Sequence, residues 1–189
     1  MQILKTFSTK HITAWTNTCE YIVLHHTAQS KTSTDENVAK YLCNNNSQVS
    51  CHYVVWKKWE IRQIAEDYKI AHHAWVSERD WKKMMNQYSI WIEICSDGNE
   101  YTDTQRESVR ELVSFLIMKH DIPLKNIIRH KDIAPGRKRD VGDNFRSNQY
   151  KTFLDYQNSY FTPPINFLIA DWIWNWDQSD RPATRWEVA

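Results

Sequence analysis

Three residues of this sequence have the side chains of a catalytic metal site. His25 follows a short apolar run, His130 follows another, and Asp140 comes a short loop after His130. A catalytic zinc site uses three protein ligands of this kind and leaves a fourth position for water. Spacing alone is weak support, because the chain has 8 histidines and a lone histidine is more often structural. The residue types therefore allow a zinc site without establishing one.

The elements predicted around these residues begin with strands. Glu20–His26 is a short apolar run rich in β-branched residues, which is typical of a buried strand. His52–Ile64 has the pattern of a hairpin, and Ser89–Cys95 that of a further strand. Alternation in this last strand places its isoleucines on one face and Trp91 and Glu93 on the other.

Three helices are predicted between and after the strands. Thr32–Asn45 can be capped by Ser33 or Thr34. Thr102–His120 has apolar residues at the i, i+3, i+4 spacing of a helix face, and a further helix is predicted at Asn148–Tyr160. Strands that alternate with helices indicate an α/β fold with a mixed central β-sheet flanked by helices.

Composition excludes several classes of partner. The 24 Lys and Arg balance 23 Asp and Glu, so the basic surplus of a nucleic-acid-binding domain is missing. The sequence has neither an apolar run long enough to span a membrane nor the pattern of a classical signal peptide. Its 4 cysteines show no C-x-x-C pairing, which favours buried thiols over a zinc finger. We expect a monomer.

Five motifs give the chain a specific resemblance to a known family. In order, they are YIVLHHTA, VSCHYVV, AHHAWVS, NQYSIWIEI and IIRHKDIAPGRKRDVGDNF. The last resembles the zinc-loop pattern H-x-D-I-A-P-G-R-K-x-D-P-G of the amidase-2 family of N-acetylmuramoyl-L-alanine amidases, with Val141 in place of its second Pro. The resemblance implies the fold shared by bacteriophage amidase-lysozymes and peptidoglycan-recognition proteins.

The resemblance also implies a zinc-dependent hydrolase. His25, the histidine followed by x-T-A, would be the first zinc ligand, and His130 and Asp140 the other two. The expected reaction is hydrolysis of the amide that joins N-acetylmuramic acid to L-Ala in peptidoglycan, as in an autolysin or endolysin. Two alternatives stay open: a non-catalytic peptidoglycan-binding module of the same fold, and an amidase that acts on soluble muropeptides in wall recycling. We expect a secreted or wall-associated protein, with phage-type release or cytoplasmic recycling as the other locations.

Four further residues match positions with roles in the family. Glu93 matches an acidic residue that handles the proton of the attacking water, and Lys138 matches a lysine that stabilises the anionic intermediate. His73 and Asn86 match positions that line the substrate groove. Simpler explanations remain for the first two, since Glu93 could be a structural carboxylate and Lys138 a solvated surface lysine.

Tryptophan stands where the matching motifs have glycine, at Trp59, Trp75 and Trp91. The chain has 10 tryptophans and only 3 glycines, where typical usage of about 7% would give roughly 13. A tight turn often needs positive φ, which would strain Trp59, and Trp91 could fill the substrate groove beside Glu93. We therefore hypothesise that UGA codons read as glycine in the source organism have been translated here as tryptophan. A divergent amidase repacked around tryptophan is the alternative.

The pair Pro163–Pro164 suggests a boundary near the end of the chain. We expect a zinc amidase domain over 1–160 and a C-terminal tail over 161–189. With glycine at 172, 176 and 186, this tail would resemble the end of an S-layer-homology-type repeat that anchors proteins to the wall. A partly ordered tail is the alternative.

Overall fold

A six-stranded mixed sheet forms the centre of the molecule. The computed structural model describes residues 1–30, 32–44, 46–146 and 152–161. Its strands are β1 (Ile3–Leu4), β2 (Ile12–Thr16), β3 (Tyr21–His26), β4 (Tyr53–Val55), β5 (Ile61–Gln63), β6 (Lys69–Ala71), β7 (Glu78–Arg79), β8 (Lys82–Lys83), β9 (Ser89–Ile94) and β10 (Ile127–Arg129). Its α-helices are α1 (Asp35–Leu42), α2 (Asp103–His120), α3 (His130–Ile133) and α4 (Phe153–Tyr160). The central sheet has the order β1-β5-β4-β9-β3-β10, so the predicted α/β class is confirmed.

Strand β9 lies in the middle of the sheet and runs parallel to both of its neighbours, β3 and β4. All six of its residues are buried, as expected for a parallel strand that is covered on both faces. The pairing of β3 with β9 sets His25 directly beside Glu93. The register of one pair of strands therefore brings together two of the predicted site residues.

Apolar clusters cover both faces of the sheet. The isoleucines of β9 pack with Val109, Leu112 and Leu116 of α2, which confirms the predicted helix face. Trp91 belongs to the cluster on the opposite face, together with Val23 of β3. The alternation predicted for β9 is confirmed, and the face that carries Glu93 is the one away from α2.

Capping residues determine where the helices begin. Helix α1 is shorter than predicted, because the Thr34 side chain accepts a hydrogen bond from the Asn37 N–H at 3.2 Å and so starts the helix at Asp35. Helix α2 agrees with the prediction and is capped by Thr102, whose side chain accepts from the Gln105 N–H at 3.0 Å. Helix α4 begins at Phe153, and residues 148–151 of its predicted range lie outside the described residues.

Two hairpins lie near the candidate site. The predicted one is confirmed as the antiparallel pair β4–β5, but the strain expected at Trp59 is wrong, because that residue has no positive φ. The second hairpin joins β7 to β8 through Asp80 and Trp81, with φ values of 50° and 67°. Positive φ at both central residues is the conformation of a type I′ turn, which favours Asn-Gly or Asp-Gly. Trp81 therefore occupies a position that favours glycine.

The remaining predictions concern the cysteines, membrane-spanning segments and the C-terminal tail. All four cysteines are free, and three of them are buried, as expected of buried thiols. Within the described ranges, none of the helices combines the length and apolar character needed to cross a bilayer. The predicted tail at 161–189 falls almost wholly outside the described residues, so it stays a prediction.

Candidate metal centre

The three predicted ligands meet at the carboxyl ends of two neighbouring strands. His25 lies near the end of β3, and His130 follows directly after β10, which runs parallel to β3. The loop after α3 turns at Gly136, where φ is 77°, and returns Asp140 to this edge. The backbone oxygen of Asp140 accepts a hydrogen bond from the Lys131 N–H at 2.6 Å, which fixes the loop there.

The ligand atoms converge on one point. Oδ2 of Asp140 lies 3.0 Å from Nδ1 of His25 and 3.0 Å from Nδ1 of His130. All three residues are buried, and their ligand atoms lie within 4.8 Å of one another. Two imidazole nitrogens and a carboxylate oxygen form the donor set of a catalytic zinc site. The residues present therefore fit a single zinc ion.

Burial and hydrogen bonding set the protonation of these residues. Burial, together with the neighbouring His73, holds the pKa of His25 well below its ordinary value. Burial lowers the pKa of His130 in the same direction. Burial alone would raise the pKa of Asp140, but hydrogen bonds from His130 and His25 hold it below its ordinary value. Two neutral imidazoles beside a carboxylate are in the state that metal ligation requires.

Glu93 lies beside the three candidate ligands. Its Oε1 is 4.0 Å from Nδ1 of His25 and 2.6 Å from Nε2 of His73. Its Oε2 is buried and has no hydrogen-bond partner among the described residues. His25, His73 and Glu93 thus form a second group with metal-ligand geometry, which shares His25 with the first. The five side chains make one cluster, although they come from distant parts of the sequence.

His73 and Asn86 have different positions in this cluster. The His73 ring lies 4.2 Å from the His25 ring, measured between centroids, so it belongs to the centre. The Asn86 side-chain oxygen accepts hydrogen bonds from the backbone N–H groups of His73 at 3.3 Å and Ala74 at 2.9 Å. The contacts seen for Asn86 are therefore those of a residue that holds the His73 loop. Its predicted contact with substrate stays a prediction.

Lys138 lies in the loop between α3 and Asp140. Its backbone N–H donates to the Ala134 oxygen at 3.0 Å. Its positive charge is one of the smaller influences that lower the pKa of His130, after burial. Its predicted role, stabilisation of an oxyanion beside the two histidines, stays a prediction.

Trp91 makes contacts that the sequence did not predict. Its side chain is fully buried, stacks on the His73 ring at 4.8 Å and 17°, and lies 4.4 Å from the His25 ring. The strand around it is held by His52, whose Nδ1 accepts from the Trp91 N–H at 3.0 Å. Nε2 of His52 donates to the Lys69 oxygen at 2.9 Å. These bonds give both ring nitrogens of His52 a hydrogen-bond partner.

Comparisons with known proteins agree with this geometry. The profile of a family described as N-acetylmuramoyl-L-alanine amidase matches residues 15–143. Among curated proteins, the 1,6-anhydro-N-acetylmuramyl-L-alanine amidase AmpD of Escherichia coli is 32% identical, over 59% of this chain and 62% of that protein. The N-acetylmuramoyl-L-alanine amidase XlyA of Bacillus subtilis is 27% identical, over 67% of this chain and 43% of that protein. The chain thus spans less than two thirds of the length of these relatives.

Solved structures show the same fold. AmiD from E. coli, in complex with anhydro-N-acetylmuramic acid-L-Ala-D-gamma-Glu-L-Lys, has a TM-score of 0.65 and 25% identity, over 81% of this chain and 62% of that one. A selenomethionine derivative of AmpD has a TM-score of 0.67 and 22% identity, over 83% of this chain and 92% of that one. These likenesses confirm the amidase fold implied by the sequence motifs.

Proposed function

Because the chain belongs to the N-acetylmuramoyl-L-alanine amidase family, we propose that it hydrolyses the amide between N-acetylmuramic acid and L-Ala in peptidoglycan. One observation carries the proposal: Nδ1 of His25 and Nδ1 of His130 each lie 3.0 Å from Oδ2 of Asp140. A protein that only binds peptidoglycan needs no such buried donor set. The arrangement therefore favours an enzyme over a binding module.

Zinc would be held by His25, His130 and Asp140, and it would supply the Lewis acidity that activates water and polarises the scissile carbonyl. The depressed pKa values of both histidines keep their imidazoles uncharged near neutral pH, so each ring has one nitrogen that carries no proton. The carboxylate adds one negative charge to the site. Cation binding therefore needs no prior deprotonation of these ligands.

The remaining residues would handle protons and charge. Glu93, whose Oε1 lies 4.0 Å from Nδ1 of His25, would take a proton from the attacking water and pass it to the departing amine of L-Ala. Lys138 would stabilise the negative charge that develops on the carbonyl oxygen. His73, in contact with Glu93, would orient that carboxylate and meet the substrate. Asn86 would act by holding the His73 loop.

The reaction is tested by mass spectrometry of the products from purified peptidoglycan. Free stem peptides that begin with L-Ala are expected. Products that keep the lactyl–L-Ala bond would refute the amidase proposal.

The metal is tested by zinc analysis of the wild type and of Asp140→Ala. We expect one zinc per wild-type chain and a large loss in the variant. Asp143→Ala is the matched control, because Asp143 lies in the same loop but pairs with Arg129 at 2.6 Å and should not affect zinc. Equal zinc in the wild type and in Asp140→Ala would contradict the ligand assignment.

A second candidate substrate is a soluble muropeptide. It is favoured by the similarity to a 1,6-anhydro-N-acetylmuramyl-L-alanine amidase and by the muropeptide bound to AmiD. A recycling enzyme would act in the cytoplasm, and a lysin or autolysin at the wall. Initial rates on anhydro-muropeptide and on intact sacculi distinguish them, since a recycling enzyme cleaves only the soluble substrate at an appreciable rate.

A further inference from the structure

We propose that Trp91 is a positioning residue that keeps the centre closed, because it holds His73 against Glu93. The inference rests on the proposed amidase function, applies to the chain that carries tryptophan at position 91, and concerns which groups of that site are free to act. It makes position 91 the determinant of whether Oε1 of Glu93 is open to a water molecule or a substrate.

The packing of Trp91 gives the first step. Its indole is parallel to the His73 ring, at 17° and 4.8 Å between centroids, and it also contacts the His25 ring at 4.4 Å. A third histidine, His130, meets the indole edge-on at 5.8 Å. The indole is fully buried and contacts all three imidazoles.

The second step is the contact that this packing enforces. Nε2 of His73 lies 2.6 Å from Oε1 of Glu93, and both side chains are almost completely buried. His73 therefore covers Oε1 of Glu93, while Oε2 is buried and has no hydrogen-bond partner among the described residues. The contact opens only if the His73 ring moves away from Glu93.

The third step is that the packing of Trp91 limits the movement of His73. Trp91 blocks its retreat on one face, and the buried Ala74 and Met85 belong to the same packed cluster. The backbone of Trp91 is held in place, because His52 accepts its N–H and β9 is paired on both sides. Removal of the indole would create space into which the His73 imidazole can move.

The first experiment compares zinc-loaded wild type with Trp91→Gly. Acetohydroxamate, a small zinc ligand, is titrated by calorimetry, and kcat/KM is measured on a soluble muropeptide. We expect the glycine variant to bind the probe at least tenfold more tightly and to raise kcat/KM at least tenfold. Trp59→Gly is the matched control, because Trp59 lies in the exposed β4–β5 turn, and it should change neither value.

Indole added to Trp91→Gly separates a positioning role from a purely structural one. In the metal-free variant, indole should occupy the vacated space and raise the melting temperature. In the zinc-loaded variant, it should lower both probe affinity and kcat/KM towards the wild-type values. A purely structural role predicts the opposite, that indole raises stability and activity together, and that result would overturn the proposal.

His73→Ala tests the same idea with the Trp91 core intact, in case the glycine variant does not fold. Acetohydroxamate should again bind at least tenfold more tightly, because Glu93 is released. Unchanged affinity in this variant would overturn the proposal. If affinity rises but no variant cleaves the amide, the positioning role stands and the amidase proposal fails. If the wild type cleaves and Trp91→Gly neither binds nor cleaves better, the positioning role fails and the amidase proposal stands.

Discussion

His52 shows how burial of a single residue makes stability depend on pH. Burial lowers the pKa of this histidine to about 4, against an ordinary value of 6.5. Between those values the unfolded chain binds a proton that the folded chain excludes. The free energy of unfolding should therefore fall as the pH drops from 6.5 to 4, with His52 contributing about 1.4 kcal/mol per pH unit.

Urea unfolding at several pH values checks this prediction, with His52→Gln as the comparison. Glutamine can make both hydrogen bonds of His52 but takes up no proton in this range. As the pH falls, the metal-free wild type should lose stability more steeply than the variant. The pKa values of His25 and His130 are also lowered, but both proteins contain these residues, so the difference between the two pH profiles reports His52. Parallel pH profiles would show that His52 contributes nothing.

Lys138 provides a second test at the scale of one residue. Lys138→Met should lower kcat by about 10²–10³, the cost of removing one group that stabilises an oxyanion. Zinc content and KM should change little, because the lysine is not a ligand in this arrangement. Lys131→Met is the control, since Lys131 pairs with Asp143 at 3.4 Å and should leave kcat unchanged. An equal fall in both variants would point to a general effect of loop charge.

The sequence predicted which residues form the candidate site, but not how their side chains contact one another. His25, His130 and Asp140 were identified because each belongs to a motif, and the structure brings them together. The contact of His73 with Glu93 was not predicted, because it depends on how the loop before β7 packs against β9. The stacking of Trp91 on His73 was missed for the same reason, since alternation along a strand gives a face but no contact partner.

At the scale of elements, the β7–β8 hairpin carries the clearest strain. Trp81 adopts a φ of 67° with 96% of its surface exposed, so no packing offsets the unfavourable backbone. Trp81→Gly should raise the free energy of unfolding by about 1 kcal/mol, which is the order of the cost of the left-handed region for a residue with a Cβ. Thermal unfolding of the two proteins checks this.

Trp75→Gly is the matched control for that element. Trp75 is also highly exposed, but it has no positive φ. Glycine there should give no gain in stability and should cost up to about 1 kcal/mol, because it increases the freedom of the unfolded chain. Equal gains at positions 75 and 81 would indicate that loss of exposed aromatic surface is the cause.

Long, strongly patterned elements were predictable from the sequence, and short ones were not. Strand β9 and helix α2 each carry enough residues for a period to be recognised, and both agree with the prediction within a residue of their ends. Strands β1, β7 and β8 have 2 residues each, so their existence depends on their partners. The type I′ turn was missed because its second position holds tryptophan in place of the glycine that would have indicated it.

At the scale of the whole molecule, the distribution of tryptophan is unusual. Of the six tryptophans in the described residues, four are more than half exposed, although this residue type is highly buried on average. They are Trp15, Trp59, Trp75 and Trp81. If tryptophan replaced glycine at surface positions of the native protein, its side chains would be exposed in this way.

The gene sequence tests this interpretation. Codons 59, 75 and 91 should be TGA, as the family motifs suggest, and the turn geometry adds codon 81. TGG at these positions would contradict recoding and favour a divergent amidase that has repacked around tryptophan. The prediction at position 81 is independent of the motifs, because it rests on φ and exposure alone.

The burial of Trp91 has an optical consequence. Trp91 is fully buried, unlike the other tryptophans in the described residues. The centroid of its indole lies 4.4 Å from that of the His25 ring, a candidate metal ligand. Its fluorescence should therefore lie to the blue of the emission from the solvent-exposed indoles. A paramagnetic ion such as Co²⁺ bound at His25 would quench that blue component selectively. The chain thus carries its own spectroscopic reporter of metal occupancy, next to the atoms that bind the ion.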